Sequence, residues 1–141
     1  MDAEREGKMK VLIVDETGAL AAAGVVFLSM WGYDVQTAAD GLDALAKARS
    51  WKPDVLLAEV RLERMDGLAL TAAVRSSAET TGVRVVLAGR ADDAYARRRG
   101  ETLGAVAFLP TPLAMPELQR ALASLSRPAA PAPERLRAGR R

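Results

Sequence analysis

The sequence predicts a single α/β domain with a doubly wound, five-stranded parallel sheet. Short apolar runs alternate with stretches of helical periodicity five times between residues 9 and 126. The runs are apolar at nearly every position, as in parallel strands that helices cover on both faces. The chain has 141 residues, half of them hydrophobic, which suits one compact domain and is too short for two.

The first two units each pair a strand with a helix. Strand 9–14 precedes helix 19–31, and Gly32 stands where a glycine commonly ends a helix. Strand 33–37 precedes helix 42–51, which Asp40 and Asp43 introduce with the spacing of a capping box.

The remaining three units follow the same pattern. The predicted strands are 55–60, 83–87 and 105–109, and the predicted helices are 68–76, 91–99 and 116–126. Pro116 suits the first turn of the last helix because its fixed φ is helical and its missing N–H is not needed there.

Composition excludes several kinds of chemistry. The chain has no cysteine, no histidine and no asparagine. Disulfides, thiol catalysis, imidazole ligands, Ser-His-Asp triads and N-glycosylation are therefore absent. A metal site would consist of oxygen ligands, which favours Mg²⁺ or Ca²⁺.

The ends of the chain differ from its middle. Residues 1–8 form a polar lead-in, and residues 127–141 form a tail rich in Pro, Ala and Arg. The tail has five arginines and one glutamate, so its net charge is +4 and that of residues 1–126 is −2. No apolar run approaches the roughly 20 residues of a membrane span. We expect a soluble, cytoplasmic protein with no membrane partner.

Acidic residues end two of the predicted strands. Asp15 and Glu16 follow the first strand, and Glu59 lies in the third. Parallel strands bring their carboxyl ends to one edge, where ligands gather, so these three carboxylates could hold Mg²⁺. Alternatively, Asp15 and Glu16 flank the next helix N-terminus, which favours acidic groups, and Glu59 faces solvent.

Several motifs in order resemble the receiver domain of bacterial two-component response regulators, over residues 9–126. They are Val-Leu-Ile-Val-Asp-Glu at 11–16, Gly-Tyr-Asp-Val at 32–35, Ala-Asp-Gly at 39–41, Pro-Asp-Val-Leu-Leu-Ala-Glu at 53–59, Met-Asp-Gly at 65–67 and the segment 104–112. The resemblance implies the (βα)₅, flavodoxin-like fold of CheY-like proteins. In that family the acidic pair binds Mg²⁺ and an Asp ending the third strand accepts a phosphoryl group.

This chain departs from the family at four positions. Glu59 stands at the phosphoacceptor position, Ala88 at the hydroxyl position of the fourth strand and Thr111 at the lysine position. Phe108 occupies the aromatic switch position without a hydroxyl, and Pro112 follows Thr111 where the family usually has a cis peptide. Glu59 is one methylene longer than Asp, which moves its carboxylate out of line for attack on a phosphodonor.

The departures predict an atypical single-domain response regulator, or pseudo-receiver, in phosphorelay signal transduction. We expect it to act as a protein-interaction module that does not need phosphorylation, and not as an enzyme. Its partner would be a histidine kinase, another regulator, an output protein or an identical subunit bound through the fourth-helix, fifth-strand and fifth-helix face. No cofactor is required, although Asp15, Glu16 and Glu59 could bind Mg²⁺.

Four alternatives remain open at this point. Glu59 could mimic a phosphorylated Asp, with Arg61 or Arg90 supplying the missing positive charge. Another carboxylate could still accept a phosphoryl group, or the acidic cluster could support Mg²⁺-dependent phosphoryl transfer as an enzyme. The arginines of the tail, or those at 97–99, could contact nucleic acid, although a solvated tail and helix end suit their composition better.

Overall fold

A computed structural model describes residues 7–126. They form one parallel sheet of five strands in the order β2-β1-β3-β4-β5, with five helices alternating along the chain. The strands are β1 (Lys10–Val14), β2 (Asp34–Ala38), β3 (Val55–Glu59), β4 (Arg84–Arg90) and β5 (Ala107–Thr111). The helices are α1 (Ala19–Met30), α2 (Gly41–Trp51), α3 (Gly67–Ser76), α4 (Ala94–Leu103) and α5 (Met115–Ser126). The predicted doubly wound fold is confirmed.

Alternation along the strands divides the core into two layers. Leu12, Leu56 and Leu87 form one layer with Leu70 and Val74 of α3 and with the buried residues of α2. On the opposite side of the sheet, a second cluster fills the space under α1 and α5; its buried members are Val11, Ile13, Leu28, Val55, Leu57, Val86, Leu118 and Leu122. Both faces of the central strands are buried, which explains why their sequences are apolar throughout.

Two strands and one helix differ from their predicted bounds by more than one residue at an end, and the other elements differ by one residue. The ladder between β4 and β5 continues past the apolar runs, pairing Gly89 with Pro110 and Arg90 with Thr111. Since backbone pairing extends a strand regardless of side-chain polarity, the two strands end at positions 90 and 111 rather than 87 and 109. Asp93 then caps α4, so this helix begins at residue 94 rather than 91.

Aspartates begin three of the helices. The carboxylates of Asp40, Asp66 and Asp93 accept hydrogen bonds from the N–H groups three residues later, at 2.8–2.9 Å. Side-chain caps of this kind satisfy helix donors that have no partner within the helix. They also fix the loops at the carboxyl edge of the sheet, where the functional residues lie.

The ends of the chain fall mostly outside this description. The predicted tail, 127–141, and the first six residues of the predicted lead-in lie outside the described residues. Across the described part of the chain, no helix has the length and apolar character needed to span a membrane.

Candidate functional site at the carboxyl edge of the sheet

Strand register brings the phosphoacceptor position and its predicted partners together. Glu59 in β3 lies beside Ala88 in β4, and Arg90 lies beside Thr111 at the end of β5. Glu59, Ala88 and Thr111 line one small cleft of about 120 Å³, with Arg61 and Arg90 at its border. The structure therefore gathers three of the positions that the sequence singled out.

The carboxylate of Asp15 is buried and bonded to its own loop. One oxygen accepts hydrogen bonds from the backbone N–H and the hydroxyl of Thr17, at 3.3 and 3.1 Å. The other accepts from the N–H of Ala21 in the first turn of α1, at 3.0 Å. Asp15 thus satisfies donors at the start of α1, as in the helix-flanking alternative from the sequence.

Glu16 points to a different partner. Its carboxylate accepts a hydrogen bond from the backbone N–H of Glu63, in the loop after β3. This bond joins the loop that follows β1 to the loop that follows β3, so Glu16 helps to hold the rim of the site.

Glu59 is partly buried, and the pKa of its carboxyl group is raised. Burial is the largest cause, followed by the negative charges of Asp15 and Glu16. Burial and neighbouring like charges both disfavour the ionised form of a carboxyl group. The charges of Asp15 and Glu16 therefore act on Glu59 through space.

Two of the three carboxylates already accept hydrogen bonds from the protein. Both oxygens of Asp15 accept hydrogen bonds from the protein, and Glu16 accepts from Glu63. Within residues 7–126, no three acidic side chains lie close enough together to hold a metal. Magnesium would require these hydrogen bonds to be exchanged for metal contacts in octahedral geometry. Its binding stays a prediction that a titration can test.

The two candidate arginines have different environments. Arg90 makes a two-point contact with the carboxylate of Asp92, with N–O distances of 3.0 and 2.9 Å. Its charge is thereby directed to an exposed neighbour rather than to Glu59. Arg61 is exposed and lines the cleft, so it is the better placed of the two to meet an anion there.

Gly67 allows two backbones to approach closely where β3 ends. A Cβ atom at this position would lie 2.4 Å from the carbonyl oxygen of Glu59 and 2.9 Å from the Cα of Val60. The N–H of Gly67 donates to the carbonyl of Val60 at 2.8 Å. The start of α3 is therefore pressed against the end of β3, and only glycine allows this contact.

The aromatic switch position lies outside the cleft, on the side of α4. Phe108 is partly buried, with the guanidinium of Arg97 4.6 Å from its ring centroid. A Cβ at Gly89 would come within 2.9 Å of the ring. Arg97 and Phe108 also line a pocket of about 280 Å³ between α4 and β5.

Sequence reasoning missed two of these contributors. Arg97 appeared only as part of a basic run, because nothing in the sequence pairs it with Phe108. Thr17 lies two residues after Asp15, which is the spacing of a local side-chain turn, so its hydrogen bond to Asp15 could have been predicted from the sequence.

The peptide bond between Thr111 and Pro112 is cis in the structure.

Comparison with known proteins identifies the family. A profile of the response regulator receiver domain matches residues 11–123. The chain is 26% identical over 122 residues to protein PilG of Pseudomonas aeruginosa, covering 86% of this chain and 90% of PilG. It is 34% identical over 119 residues to response regulator MprA of Mycobacterium avium, covering 84% of this chain but only 51% of MprA.

The fold matches solved structures equally well. The chemotaxis response regulator CheY4 of Vibrio cholerae superposes with a TM-score of 0.78 at 29% identity, covering 84% of this chain and 98% of CheY4. The chain spans most of PilG and CheY4 and about half the length of the MprA relatives. Since the family profile covers well over half of the sequence, this chain belongs to the response regulator receiver domains of signal transduction.

Proposed function

We propose that this receiver is atypical: it transmits a signal through constitutive protein contacts and not through phosphorylation, and it is not an enzyme. The observation that supports this most directly is the cleft formed by Glu59, Ala88 and Thr111. It contains a longer carboxylate, a methyl group and a neutral hydroxyl at the three positions where the family has its acceptor, its hydroxyl and its lysine.

The chemistry of phosphoryl transfer makes each departure costly. A carboxylate displaced by one methylene loses the near-attack geometry on which transfer depends. Charge that develops on the transferred group needs a nearby cation, and Thr111 supplies none.

In this proposal the position of the Phe108 ring does not depend on Glu59. Its ring is held by the guanidinium of Arg97 on one side and approaches the backbone at Gly89 on another. Ala88 has no hydroxyl that could couple a phosphoryl group to this side chain. The surface formed by α4 and β5 would therefore keep one form, ready for a histidine kinase, another regulator or an output protein.

Intact mass spectrometry after incubation with Mg²⁺ and a small-molecule phosphodonor tests the proposal. The native chain should gain no phosphoryl mass. The Glu59→Asp variant should gain little, and a triple variant that adds Ala88→Thr and Thr111→Lys should gain one phosphoryl group. The triple variant is the positive control, because it shows that the fold and the reagents are competent. A phosphoryl group on the native chain would overturn the proposal.

A second candidate function is that Glu59 mimics a phosphorylated Asp. The exposed Arg61, which borders the same cleft, favours it. Glu59→Gln removes the charge at nearly constant shape and separates the two functions. If Glu59→Gln binds its partner as the native chain does, the contact does not depend on the charge of Glu59. If the two single variants Glu59→Gln and Arg61→Ala both lose binding, the result supports mimicry.

A further inference from the structure

The pocket between α4 and β5 has apolar walls and two charged side chains of opposite sign. Its volume is about 280 Å³. The charged residues are Arg97 and Glu101, and the other residues that line the pocket are Leu87, Gly100, Ala105, Val106, Ala107 and Phe108. Pockets for small organic molecules are mostly apolar and carry a few polar groups that orient the ligand. The two charges therefore indicate which class of ligand the pocket fits.

The two charged side chains stand one helical turn apart. Arg97 and Glu101 are four residues apart on α4, so their Cβ atoms are about 5–6 Å apart on one side of the helix. Both residues are exposed. Within residues 7–126, neither side chain forms a salt bridge, with the other or with any further group. The guanidinium of Arg97 lies over the ring of Phe108 instead, 4.6 Å from its centroid. A cation and an anion are thus both available to a ligand at the rim of the pocket.

The head group of a free α-amino acid matches this pair of charges. Its carboxylate would accept hydrogen bonds from Arg97, and its ammonium group would donate to Glu101. A ligand with a carboxylate alone would face the negative charge of Glu101, and a ligand with an amine alone would face the positive charge of Arg97. Such contacts between like charges select against ligands that carry only one charge.

The volume of the pocket calls for a large apolar side chain on the ligand. An apolar cavity of about 150 Å³ is large enough to bind benzene, so a pocket of about 280 Å³ has room for a phenyl ring and the atoms that join it to the head group. The space exists because Gly100, Ala105 and Ala107 have little or no side chain. An amino acid as small as alanine would leave most of the apolar wall without contacts.

The walls of the pocket are fixed before a ligand enters. The N–H of Ala105 donates to the carbonyl of Gly100 at 2.9 Å, and the N–H of Val106 donates to the carbonyl of Val85 at 2.8 Å. A Cβ at Gly100 would lie 2.7 Å from Cδ1 of Leu87, so α4 packs closely against β4. A preformed pocket loses little conformational entropy when it binds a ligand.

We propose that this pocket binds a free α-amino acid with an aromatic or large aliphatic side chain. The side chain of the ligand occupies the apolar space beside Phe108, and its head group lies between Arg97 and Glu101. The proposal goes beyond the proposed function and does not rest on the phosphorylation chemistry. It gives this receiver a small-molecule ligand at the surface formed by α4 and β5.

A set of four probes tests the chemistry of the ligand in titrations followed by amide chemical shifts in NMR. L-Phenylalanine should bind and shift the amide signals of Gly100, Ala105 and Phe108. Hydrocinnamate lacks the amine and phenethylamine lacks the carboxylate, so each should bind about threefold more weakly, as expected for the loss of one exposed ion pair. L-Alanine should not bind. Absence of binding by L-phenylalanine, or equal binding of hydrocinnamate, would overturn the proposal.

Variants of the pocket test its position. Arg97→Gln should weaken the binding of L-phenylalanine about threefold, and Glu101→Gln should bind L-phenylalanine and hydrocinnamate equally. The matched control is Arg98→Gln, because Arg98 is exposed on the same helix and does not line the pocket. Ala105→Leu should fill the apolar space and abolish binding, with a thermal melt to show that it is folded. If Ala105→Leu does not fold, the two glutamine variants decide. Native-like binding by Arg97→Gln, or by a folded Ala105→Leu, would refute the assignment of this pocket.

Discussion

Gly67→Ala should destabilise the protein because Gly67 is where α3 meets the end of β3. A Cβ there would be 2.4 Å from the carbonyl oxygen of Glu59 and 2.9 Å from the Cα of Val60. Both contacts are with backbone, so no change of side-chain rotamer can relieve them. The two elements must separate by about 1 Å to reach ordinary van der Waals distance.

The size of this effect follows from the cost of overpacking. Forced backbone shifts in a packed region cost about 1–3 kcal/mol, and the shift here also strains the 2.8 Å hydrogen bond from Gly67 to Val60. For a domain of this size, each kcal/mol lowers the melting temperature by about 4 °C. We therefore expect a fall of about 4–12 °C.

Gly82→Ala is the matched control. A Cβ at Gly82 meets nothing within 4 Å and no positive φ constrains the position. Replacing such a glycine restricts the unfolded chain, so this variant should be neutral or more stable by up to about 1 kcal/mol. Urea denaturation of the two variants beside the native chain gives the comparison. Equal stability of Gly67→Ala and Gly82→Ala would refute the close approach of α3 to β3.

Three further predictions concern individual side chains around the site. Because folding raises the pKa of Glu59, its contribution to stability is fully present below the ordinary value of about 4.5 and is lost as the pH rises through the raised value. Glu59→Gln should therefore gain stability relative to the native chain between pH 4 and 7 in urea titrations, and a constant difference would contradict the raised pKa. Arg97→Ala should cost about 0.5–1 kcal/mol through the lost contact with Phe108, whereas the exposed Arg98→Ala should cost nothing measurable; thermal melts showing equal losses would rule this out. Asp66→Ala should lose about 1 kcal/mol of capping energy, and Asp66→Asn, which keeps an acceptor, should lose much less; similar urea midpoints for the two would argue against the cap.

The sequence predicted most of the fold because the strands are marked by composition. Their apolar runs and the helical periods between them gave all five units in order. The ends of β4 and β5 could not be predicted, because the pairing of Gly89 with Pro110 depends on backbone register and leaves no apolar pattern. The predicted start of α4 fell three residues before the observed start, because the helix is capped by Asp93 and this cap was not predicted.

The site was only partly predictable. The positions of Glu59, Ala88 and Thr111 followed from the family motifs, and the strand register brings them to one cleft. The carboxylate of Asp15 accepts a hydrogen bond at the start of α1 because of how the loop folds. The sequence spacing alone does not decide whether this residue is a metal ligand or a helix cap. The pairing of Arg97 with Phe108 joins elements that are adjacent only in three dimensions.

Phe108 and helix α1 lie on opposite sides of the sheet. Phe108 packs against the core layer under α2 and α3, whereas α1 covers the other layer through Leu28. Substitutions at distant sites without shared partners act additively. Combining Val26→Arg on α1 with Arg97→Ala should therefore change the free energy of unfolding by the sum of the two single changes, to within about 0.5 kcal/mol. A larger departure from that sum in urea denaturation would mean that the two sides are coupled through the sheet, so that a partner bound at Phe108 would also change the stability of α1.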